Sequence, residues 1–458
     1  MQIKQISVTG LFGIFDHIIP LKMDERITIV HGPNGFGKTA MLRILNGFFN
    51  SKYSVLRKIP FDIFRIEMSN ESHIEIVKTL NTQNKSGSKK QVTFNFHVND
   101  QIETHSLKMT GIPSELNFPV EMLDDMIPGL RRINNRNWRY IPTNEVLSLE
   151  DVVDRFEDNI NIFEGDFTDS NKSQKEPEWL KDLKSEIDIR LIESQRLLNV
   201  ESANSVKVYS RSASTMSTVV SYSNELAHLM QNKFTEYGVI AQTLDETFPR
   251  RLVNQKIPSS LTDEQIRNQL DELEETRSRL LEVGLLDKIE NSDFLIKPQD
   301  TINESDRNVL AVYVEDIDKK LNVFDVIARK LGLLRKIVNG KFAYSYKDIS
   351  FDKRNGFVFK TLHKNSYGHE TLSPTDLSSG EQHELILLYE LLFKAKSNSL
   401  VLIDEPELSL HVGWQVQFLK DLQEITKLAD LDILMATHSP DLIQDRWDLS
   451  VELKRPEA

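Results

Sequence analysis

A glycine-rich segment near the start of the chain has the residue types of a phosphate site. Residues 32–39 read Gly-Pro-Asn-Gly-Phe-Gly-Lys-Thr, the spacing GxxxxGKT. Glycines let successive backbone N–H groups converge on phosphate oxygens, a lysine at this spacing reaches the β- and γ-phosphates, and the threonine hydroxyl ligates Mg²⁺. A glycine-rich turn followed by an incidental Lys-Thr is the alternative. The pattern predicts that a nucleoside triphosphate is bound by Gly32, Asn34, Gly35, Gly37, Lys38 and Thr39.

Two adjacent carboxylates near the other end of the chain are the second chemical group. Asp404 and Glu405 follow the apolar run of residues 400–403. Such a run is typical of a buried parallel strand, whose carboxyl end presents ligand-handling residues. There Asp404 would hold Mg²⁺ with Thr39, directly or through water, and Glu405 would polarise the water that attacks the γ-phosphate. An acidic turn after a strand is common, so this interpretation depends on the glycine-rich segment.

Three weaker signals accompany these two. Ser378 and Gly380 open a helical pattern, where a hydroxyl and free N–H groups suit an anion, although for this segment alone a plain N-cap is the interpretation that we favour. His438 follows residues 433–437, which have the pattern of a buried strand, and at such a position histidine is more often structural than catalytic. Gln195 follows the strand candidate of residues 187–193.

The elements that must position these residues follow from periodicity. Residues 1–100 alternate as strands around one helix that begins after Lys38. From residue 219 to 339 the pattern becomes helical and charged, with Thr262 and Gln265 spaced as a capping box. Apolar residues then follow heptad spacing, which predicts a helix that pairs with its predecessor as an antiparallel hairpin, or an ordinary amphipathic helix. That seam is Leu310, Val314, Ile317, Leu321, Phe324, Ala328 and Leu331.

Composition excludes several classes of protein. The 458 residues carry a net charge of −13, which disfavours a surface coated with basic residues for nucleic acid. The chain has no cysteine, so disulfides, thiolate catalysis and cysteine-ligated zinc are excluded. The N-terminus lacks the apolar segment of a signal peptide, and no stretch approaches the roughly 20 apolar residues of a membrane span. We therefore expect a soluble, cytoplasmic protein without a membrane partner.

A local basic cluster departs from this acidic balance. Residues 131–140 interleave four arginines with two aromatic residues, a composition that could contact phosphates or stack on bases. Ion pairing of these arginines with Glu145, Glu150, Asp151 and Asp154 is the alternative that we favour.

The order of the motifs provides a family resemblance. "GPNGFGKT", a glutamine after a strand, "LSSGE", "LIDEPELSLH" and "ATHSP" follow one another along the chain. In this order the chain resembles ABC-type ATPases of the RecF/SMC/OLD branch over nearly its whole length. The resemblance implies an α/β fold, an ABC ATPase head with a mixed sheet and an antiparallel β lobe. It places the two half-heads at residues 1–200 and 341–458, separated by a helical or short coiled-coil insertion at 201–340.

The resemblance also assigns roles to residues. ATP and Mg²⁺ are the implied cofactors; Lys38, Glu405 and His438, the switch histidine, are the implied catalytic residues. Thr39, Asp404 and Gln195 are the implied metal ligands, and Gln195 also senses the γ-phosphate. Ser378 and Gly380 would contact the γ-phosphate of ATP held by another protomer, and residues 409–411 would follow the dimer interface. Ser379 stands where a glycine is common. ATP hydrolysis would then need a head-to-tail dimer or a higher homo-oligomer.

Within this branch, the chain resembles OLD-family nucleases and the ATPase subunits of antiphage systems such as Septu and PARIS. The chain ends at Ala458, shortly after His438, and we expect no TOPRIM domain there and no HNH site among the scattered histidines. The implied function is an ATPase sensor or scaffold that controls a separate effector nuclease of HNH or TOPRIM type, triggered by DNA or a phage protein.

Two other functions remain open. A RecF-like DNA-repair ATPase would clamp DNA on ATP binding, with Arg131, Arg132, Arg136 and Arg139 lining its groove. A steep salt dependence of affinity would support that alternative, because phosphate contacts release counterions. A metabolic P-loop enzyme is disfavoured by the "LSSGE" and "ATHSP" segments.

Overall fold

The computed structural model describes most of the chain. The described residues are 1–81, 89–99, 101–107, 123–127, 129–134, 137–141, 145–149, 151–152, 156, 176–193, 198–199, 216–254, 262–287, 303–362 and 371–455. Gln195 and Arg136, two residues singled out from the sequence, lie outside this set.

The strands, in chain order, are β1 Ile3–Leu11, β2 Phe15–Pro20, β3 Ile27–His31, β4 Ile63–Met68, β5 His73–Asn81, β6 Lys89–Val98, β7 Gln101–Leu107, β8 Leu130–Arg132, β9 Asn137–Tyr140, β10 Glu145–Ser148, β11 Ile189–Ile192, β12 Leu198–Asn199, β13 Met216–Ser217, β14 Lys347–Asp352, β15 Gly356–Thr361, β16 Thr371–Leu372, β17 Leu400–Asp404, β18 Asp432–Thr437 and β19 Ser450–Glu452. The α-helices are α1 Lys38–Phe49, α2 Tyr53–Lys58, α3 Leu123–Met126, α4 Glu178–Glu186, α5 Thr218–Asn254, α6 Asp263–Glu282, α7 Glu304–Asn322, α8 Asp325–Phe342, α9 Ser379–Tyr389, α10 Val412–Ala429 and α11 Pro440–Ile443.

The chain divides into two compact units. The first unit comprises Met1–Ser217 and Phe393–Ala458, and the second comprises Thr218–Leu392. These limits differ from the predicted division at residues 200 and 340, because β14, β15 and α9 cluster with the helices. A hydrogen bond between backbone and side chain explains part of the difference: the Phe357 N–H donates to Ser223 Oγ at 2.9 Å, which ties β15 to α5. Gly356 has φ +67° beside Ser223, and a Cβ there would lie 1.8 Å from the Ser223 carbonyl oxygen.

A parallel sheet forms one part of the first unit. Its strand order is β11-β17-β18-β3-β19, and every neighbouring pair is parallel. β17 and β3 are rich in Ile, Leu and Val, and β17 is buried at all five positions. A strand buried on both faces needs such a continuous apolar run.

An antiparallel sheet, in the order β2-β1-β4-β5-β6-β7, forms the other part of the first unit. Its strands alternate buried and more exposed residues, as a sheet with one face on the core requires. Helix α1 contributes Leu42, Ile44 and Phe48 to one hydrophobic core with residues of both sheets. The mixed α/β architecture with an antiparallel lobe confirms the predicted fold class.

The second unit is mainly helical. The capping box predicted at Thr262 is present, with Thr262 Oγ1 accepting from the Gln265 N–H. The heptad seam is interrupted, because α7 ends at Asn322 and α8 begins at Asp325. Ion pairs at Arg251–Asp316 and Lys320–Asp245 (2.7 Å) align α7 antiparallel to α5.

Helix α6 does not form the antiparallel hairpin with α7 that the spacing suggests. Arg307 near the start of α7 pairs with Asp263 at the start of α6 at 2.5 Å, and Leu310 packs on Ile266. The two helix starts therefore lie together. Spacing defines the apolar stripe of each helix, and the partner of that stripe is decided by tertiary packing.

Within the described ranges, no helix combines the length and the apolar character that crossing a membrane would require. The cytoplasmic location expected from the sequence stays a prediction.

Candidate functional site

The register of the parallel sheet brings the sequence motifs to one edge. Asp404 at the end of β17 is opposite Ala436 on β18, and Thr437 on β18 is opposite His31 at the end of β3. Since the three strands are parallel, the segments that follow them leave the same carboxyl edge. These segments are the glycine-rich loop after His31, the Asp404-Glu405 pair and His438.

The glycine-rich loop has the conformation that an anion cradle needs. Gly35 and Gly37 have φ values of 86° and 89°, in the left-handed region that favours glycine. A Cβ on Gly37 would lie 2.3 Å from Leu11 Cδ2. His17, which is buried, contacts the Phe36 carbonyl oxygen through Nε2 at 3.0 Å and so ties the loop to β2.

The backbone N–H groups of this loop are available to a ligand. In the described part of the chain, the N–H groups of residues 34–40 have no hydrogen-bond acceptor. The next N–H group along the chain, that of Met41, donates to the Gly37 carbonyl oxygen. Helix α1 begins here without a side-chain cap at Gly37. A run of free N–H groups at a helix N-terminus fits a triphosphate, so these residues suit the group that the sequence implies.

Lys38 lies folded back over the loop. Its Nζ donates to the Gly32 carbonyl oxygen at 2.7 Å and to the Pro33 carbonyl oxygen at 3.2 Å. The residue is 4% exposed, and burial lowers the pKa of its ammonium, against the opposing effect of Glu405, Glu407 and Asp404. A phosphate group beside Nζ would replace the carbonyl contacts with a charge-assisted one.

Thr39 and Asp404 meet across the sheet edge. The Thr39 hydroxyl donates to Asp404 Oδ1 at 2.9 Å. Burial raises the pKa of the Asp404 carboxyl, an effect that a nearby divalent cation would reverse. Hydroxyl and carboxylate oxygens are the donors that Mg²⁺ prefers, so the pair suits that ion.

Glu405 has a strained backbone at this edge. Its φ of 43° and ψ of 57° are left-handed, a rare conformation for a residue with a side chain, and its N–H donates to the Ala436 carbonyl oxygen at 2.9 Å. Its Oε1 lies 3.8 Å from His438 Nδ1. Glu405 also lines a cleft of about 430 Å³ beside the loop, a volume within the range of small-molecule sites.

Some residues of this cleft had no signal in the sequence. Phe12, in the turn after β1, is 44% exposed and lines the cleft together with Arg43 of α1. Neither belongs to a motif, and both reach the cleft through the packing of the antiparallel lobe and α1.

Glu407 is a further residue that the motif pattern did not single out. Its Oε1 accepts from the Thr437 hydroxyl and from the His438 N–H, both at 2.8 Å, and lies 2.9 Å from His438 Nδ1. The side chain is 5% exposed. Contact with a carboxylate oxygen places an imidazole proton on Nδ1 and fixes the orientation of the ring. Glu407 therefore positions His438.

The "LSSGE" segment lies in the second unit. Ser378 caps α9, its Oγ accepting from the Glu381 N–H, and Glu381 Oε2 accepts from the Ser378 N–H at 2.8 Å. Lys347 Nζ pairs with Glu381 at 2.7 Å. Ser378 and Ser379 are exposed, so the helix start is accessible.

The arginine cluster is only partly described. Arg131 and Arg139 are exposed and paired across β8 and β9. Trp138 is buried, with its Nε1 donating to Asp124 at 2.7 Å, so the indole belongs to a core and is not free to stack on a base. In the described residues neither Arg131 nor Arg139 has an acidic partner; Glu150 and Asp154, two of the proposed partners, lie outside that set.

Comparison with known proteins decides the family. A family model described as "AAA ATPase domain" matches residues 1–443. The chain belongs to this ATPase family. The predicted membership of the P-loop ATPases is thereby confirmed, and ATP is the nucleotide that the family name implies.

One curated relative of this AAA ATPase is the Septu protein PtuA of Bacillus thuringiensis. It is 29% identical over 105 residues, which are 22% of this chain and 24% of that protein. The matched segment thus spans about a quarter of the relative.

Solved structures similar to this AAA ATPase include two SMC heads. One is the Smc head domain of Pyrococcus furiosus, with an extended coiled coil and bound to the C-terminal domain of ScpA (TM-score 0.33, 11% identity, 99% of this chain and 94% of that chain). The other is the SMC head domain of Thermotoga maritima (TM-score 0.31, 9% identity, 97% and 92%). The family assignment rests on the sequence match over residues 1–443.

Glu407→Gln should slow ATP hydrolysis by this AAA ATPase about 10–100-fold, the usual effect of losing a group that orients a functional side chain. The amide removes the negative charge that holds Nδ1–H of His438, so the pH profile of turnover should change while ATP affinity is retained. Steady-state turnover across pH and equilibrium nucleotide binding measure the two effects. Asp441→Asn, at an exposed carboxylate three residues after His438, is the matched control. An unchanged pH profile in Glu407→Gln would contradict the positioning role.

Proposed function

We propose that this ATPase is a nucleotide-dependent switch in which ATP closes a head-to-tail pair of chains. The supporting observation is that the motifs are divided between the two units of the chain. The described residues that line the cleft beside the glycine-rich loop all belong to the first unit, whereas Ser378 and Gly380 begin an accessible helix of the second unit. In such a pair, the α9 start of one copy completes the phosphate site of the other.

The residues of one chain have distinct tasks in this proposal. The loop N–H groups and Lys38 bind the phosphates, and Thr39 and Asp404 would hold Mg²⁺, which when bound would supply positive charge beside the phosphate oxygens. Glu405 orients the attacking water and accepts its proton. His438, held by Glu407, offers Nε2 toward the γ-phosphate. Gln195 is proposed as a further metal contact.

We further propose that the switch controls a separate effector nuclease in antiphage defence. The similarity to the Septu protein PtuA supports this assignment, over the matched segment alone. The effector would be of HNH or TOPRIM type, and DNA or a phage protein would be the trigger. The cytoplasm would be the site of action.

Affinity purification from the native cells tests effector control. Glu405→Gln protein, captured with ATP and Mg²⁺, should retain a stoichiometric protein that carries nuclease-type residues. Lys38→Ala protein is the matched control and should release that protein, because it cannot reach the ATP-bound state. Equal recovery from both variants would contradict nucleotide-dependent control.

A DNA clamp of the RecF type is the second candidate, favoured by one observation: Arg131 and Arg139 are exposed on adjacent strands. Binding of duplex DNA to the Glu405→Gln protein with ATP should then fall steeply with salt. Arg131→Ala/Arg139→Ala should reduce the slope. Recovery of nucleic acid without a protein partner in the purification would favour this function over effector control.

A further inference from the structure

The face of the antiparallel sheet that points away from the hydrophobic core has a cluster of nitrogen and oxygen donors. On β5, Ile74 and Ile76 are buried in the core of the first unit. Because side chains alternate across a strand, His73 and Glu75 point to the opposite face. His97 on β6 is directly opposite His73 in the antiparallel register, so it shares that face.

The three side chains lie within reach of one ion. One ligand atom from each of His73, Glu75 and His97 lies within 4.8 Å of the other two. The His73 and His97 rings are stacked, with centroids 4.3 Å apart and an interplanar angle of 11°. Glu75 Oε2 lies 3.7 Å from His97 Nε2. All three residues are half-buried.

A donor of this cluster is unused by the protein. His97 Nε2 is buried and, over the described ranges, has no hydrogen-bond partner; its 3.7 Å separation from Glu75 is too long for one. A buried ring nitrogen without a partner costs free energy, and a bound cation would satisfy it. The cluster lies on the antiparallel sheet, whereas Asp404 ends β17 of the parallel sheet and Thr39 lies in α1, so the proposed Mg²⁺ site does not account for it.

We propose that His73, Glu75 and His97 form a site for a divalent transition-metal ion such as Zn²⁺. Two imidazoles and one carboxylate are a donor set for zinc, whereas Mg²⁺ and Ca²⁺ prefer oxygen alone. Zinc–nitrogen distances of about 2.0–2.1 Å require the donors to approach one another from their present separations by rotation of the side chains. A fourth position remains open to water. The ion links β5 to β6 and stabilises the antiparallel lobe.

Arg65 on β4 is expected to weaken binding of this ion. Its Nη1 lies 3.5 Å from Glu75 Oε1, and its Nε lies 3.1 Å from Glu67 Oε1. The guanidinium thus competes with a metal ion for the Glu75 carboxylate. Removing it gives a variant for which the proposal predicts tighter binding, a direction that a damaged fold would not produce.

Calorimetric titration of the metal-stripped full chain with ZnCl₂, in excess Mg²⁺ to saturate the Thr39–Asp404 site, tests the proposal. The wild-type chain should bind one Zn²⁺, and CoCl₂ should give the visible absorption of a four-coordinate ion. His97→Asn and His73→Asn should weaken binding at least tenfold, and Arg65→Leu should strengthen it. His105→Asn, on β7 of the same sheet, is the matched control, because His105 is opposite core residue Phe94 and thus lies on the other face.

Thermal unfolding gives an independent measurement. Zn²⁺ should raise the Tm of the wild-type chain and leave that of His97→Asn unchanged, since only an ion that binds the folded state stabilises it. The proposal is overturned if the wild-type chain binds no Zn²⁺ in excess Mg²⁺. Equal affinities of wild-type and His97→Asn chains, or equal loss in His105→Asn, would overturn it as well.

Discussion

Glu405→Gln is expected to lower ATP turnover by about 10²–10⁴-fold, the range that loss of a general base gives. The amide has the size of the carboxylate but cannot accept the proton of the attacking water. ATP affinity should be retained, because the phosphate contacts of the glycine-rich loop and the Thr39–Asp404 pair are untouched. The variant should therefore accumulate in its ATP-bound, closed form.

Sedimentation of Glu405→Gln with and without ATP and Mg²⁺ measures that accumulation. The mass should rise to a dimer or a larger closed assembly with ATP and fall again when the nucleotide is removed. Asp441→Asn is the matched control, since Asp441 is an exposed carboxylate that does not belong to the described lining of the cleft. It should keep its turnover and its reversible association. Equal self-association of Glu405→Gln with and without ATP would falsify the switch.

A mixture of two inactive variants is expected to recover activity. Lys38→Ala removes the phosphate-binding ammonium, and Gly380→Asp places a negative charge where the γ-phosphate of a partner chain would dock. Aspartate is favoured in the first turn of a helix, and Gly380 has helical backbone, so α9 should still form. Each variant alone should lose nearly all turnover.

In a heterodimer of the two variants, one composite site contains both defects and the other contains neither. With random pairing of equal amounts, turnover should recover to about a quarter of the wild-type value, because half of the dimers have one intact site of two. Steady-state hydrolysis at increasing fractions of the second variant, at constant total protein, gives the curve. Full activity of Gly380→Asp by itself, or no recovery in the mixture, would contradict a site shared between chains.

Several features of the candidate site and of the fold can be predicted from short stretches of sequence. The glycine spacing of residues 32–39 depends on backbone conformations that few other residues adopt, and the left-handed Gly35 and Gly37 bear this out. The apolar run before Asp404 favours a strand buried on both faces, as β17 is. The strands of the first unit could likewise be predicted, because the alternation of apolar and polar residues is a local property of the sequence.

Contacts between residues far apart in the chain could not be predicted from the sequence in this way. The hydrogen bond of Thr39 with Asp404, and the position of His438 beside Glu405, depend on the order β17-β18-β3, which is set by the packing of helices on the sheet. The sequence did not distinguish Glu407 from the other carboxylates. Only the structure shows that it contacts Thr437 and His438. The meeting of the α6 and α7 starts likewise reversed the hairpin expected from spacing.

Short segments of the sequence predict the chemical groups of the candidate site, namely a glycine-rich loop, a pair of carboxylates and a strand-end histidine, because each is encoded in fewer than ten consecutive residues. Tertiary structure alone decided which of these side chains meet, which acid holds His438, and that His73, Glu75 and His97 converge on one face of a sheet. The physical reason is the distance along the chain over which each effect acts. Backbone preference and periodicity act between near neighbours, whereas a site is made by segments far apart in sequence that the burial of apolar strands and helices brings together.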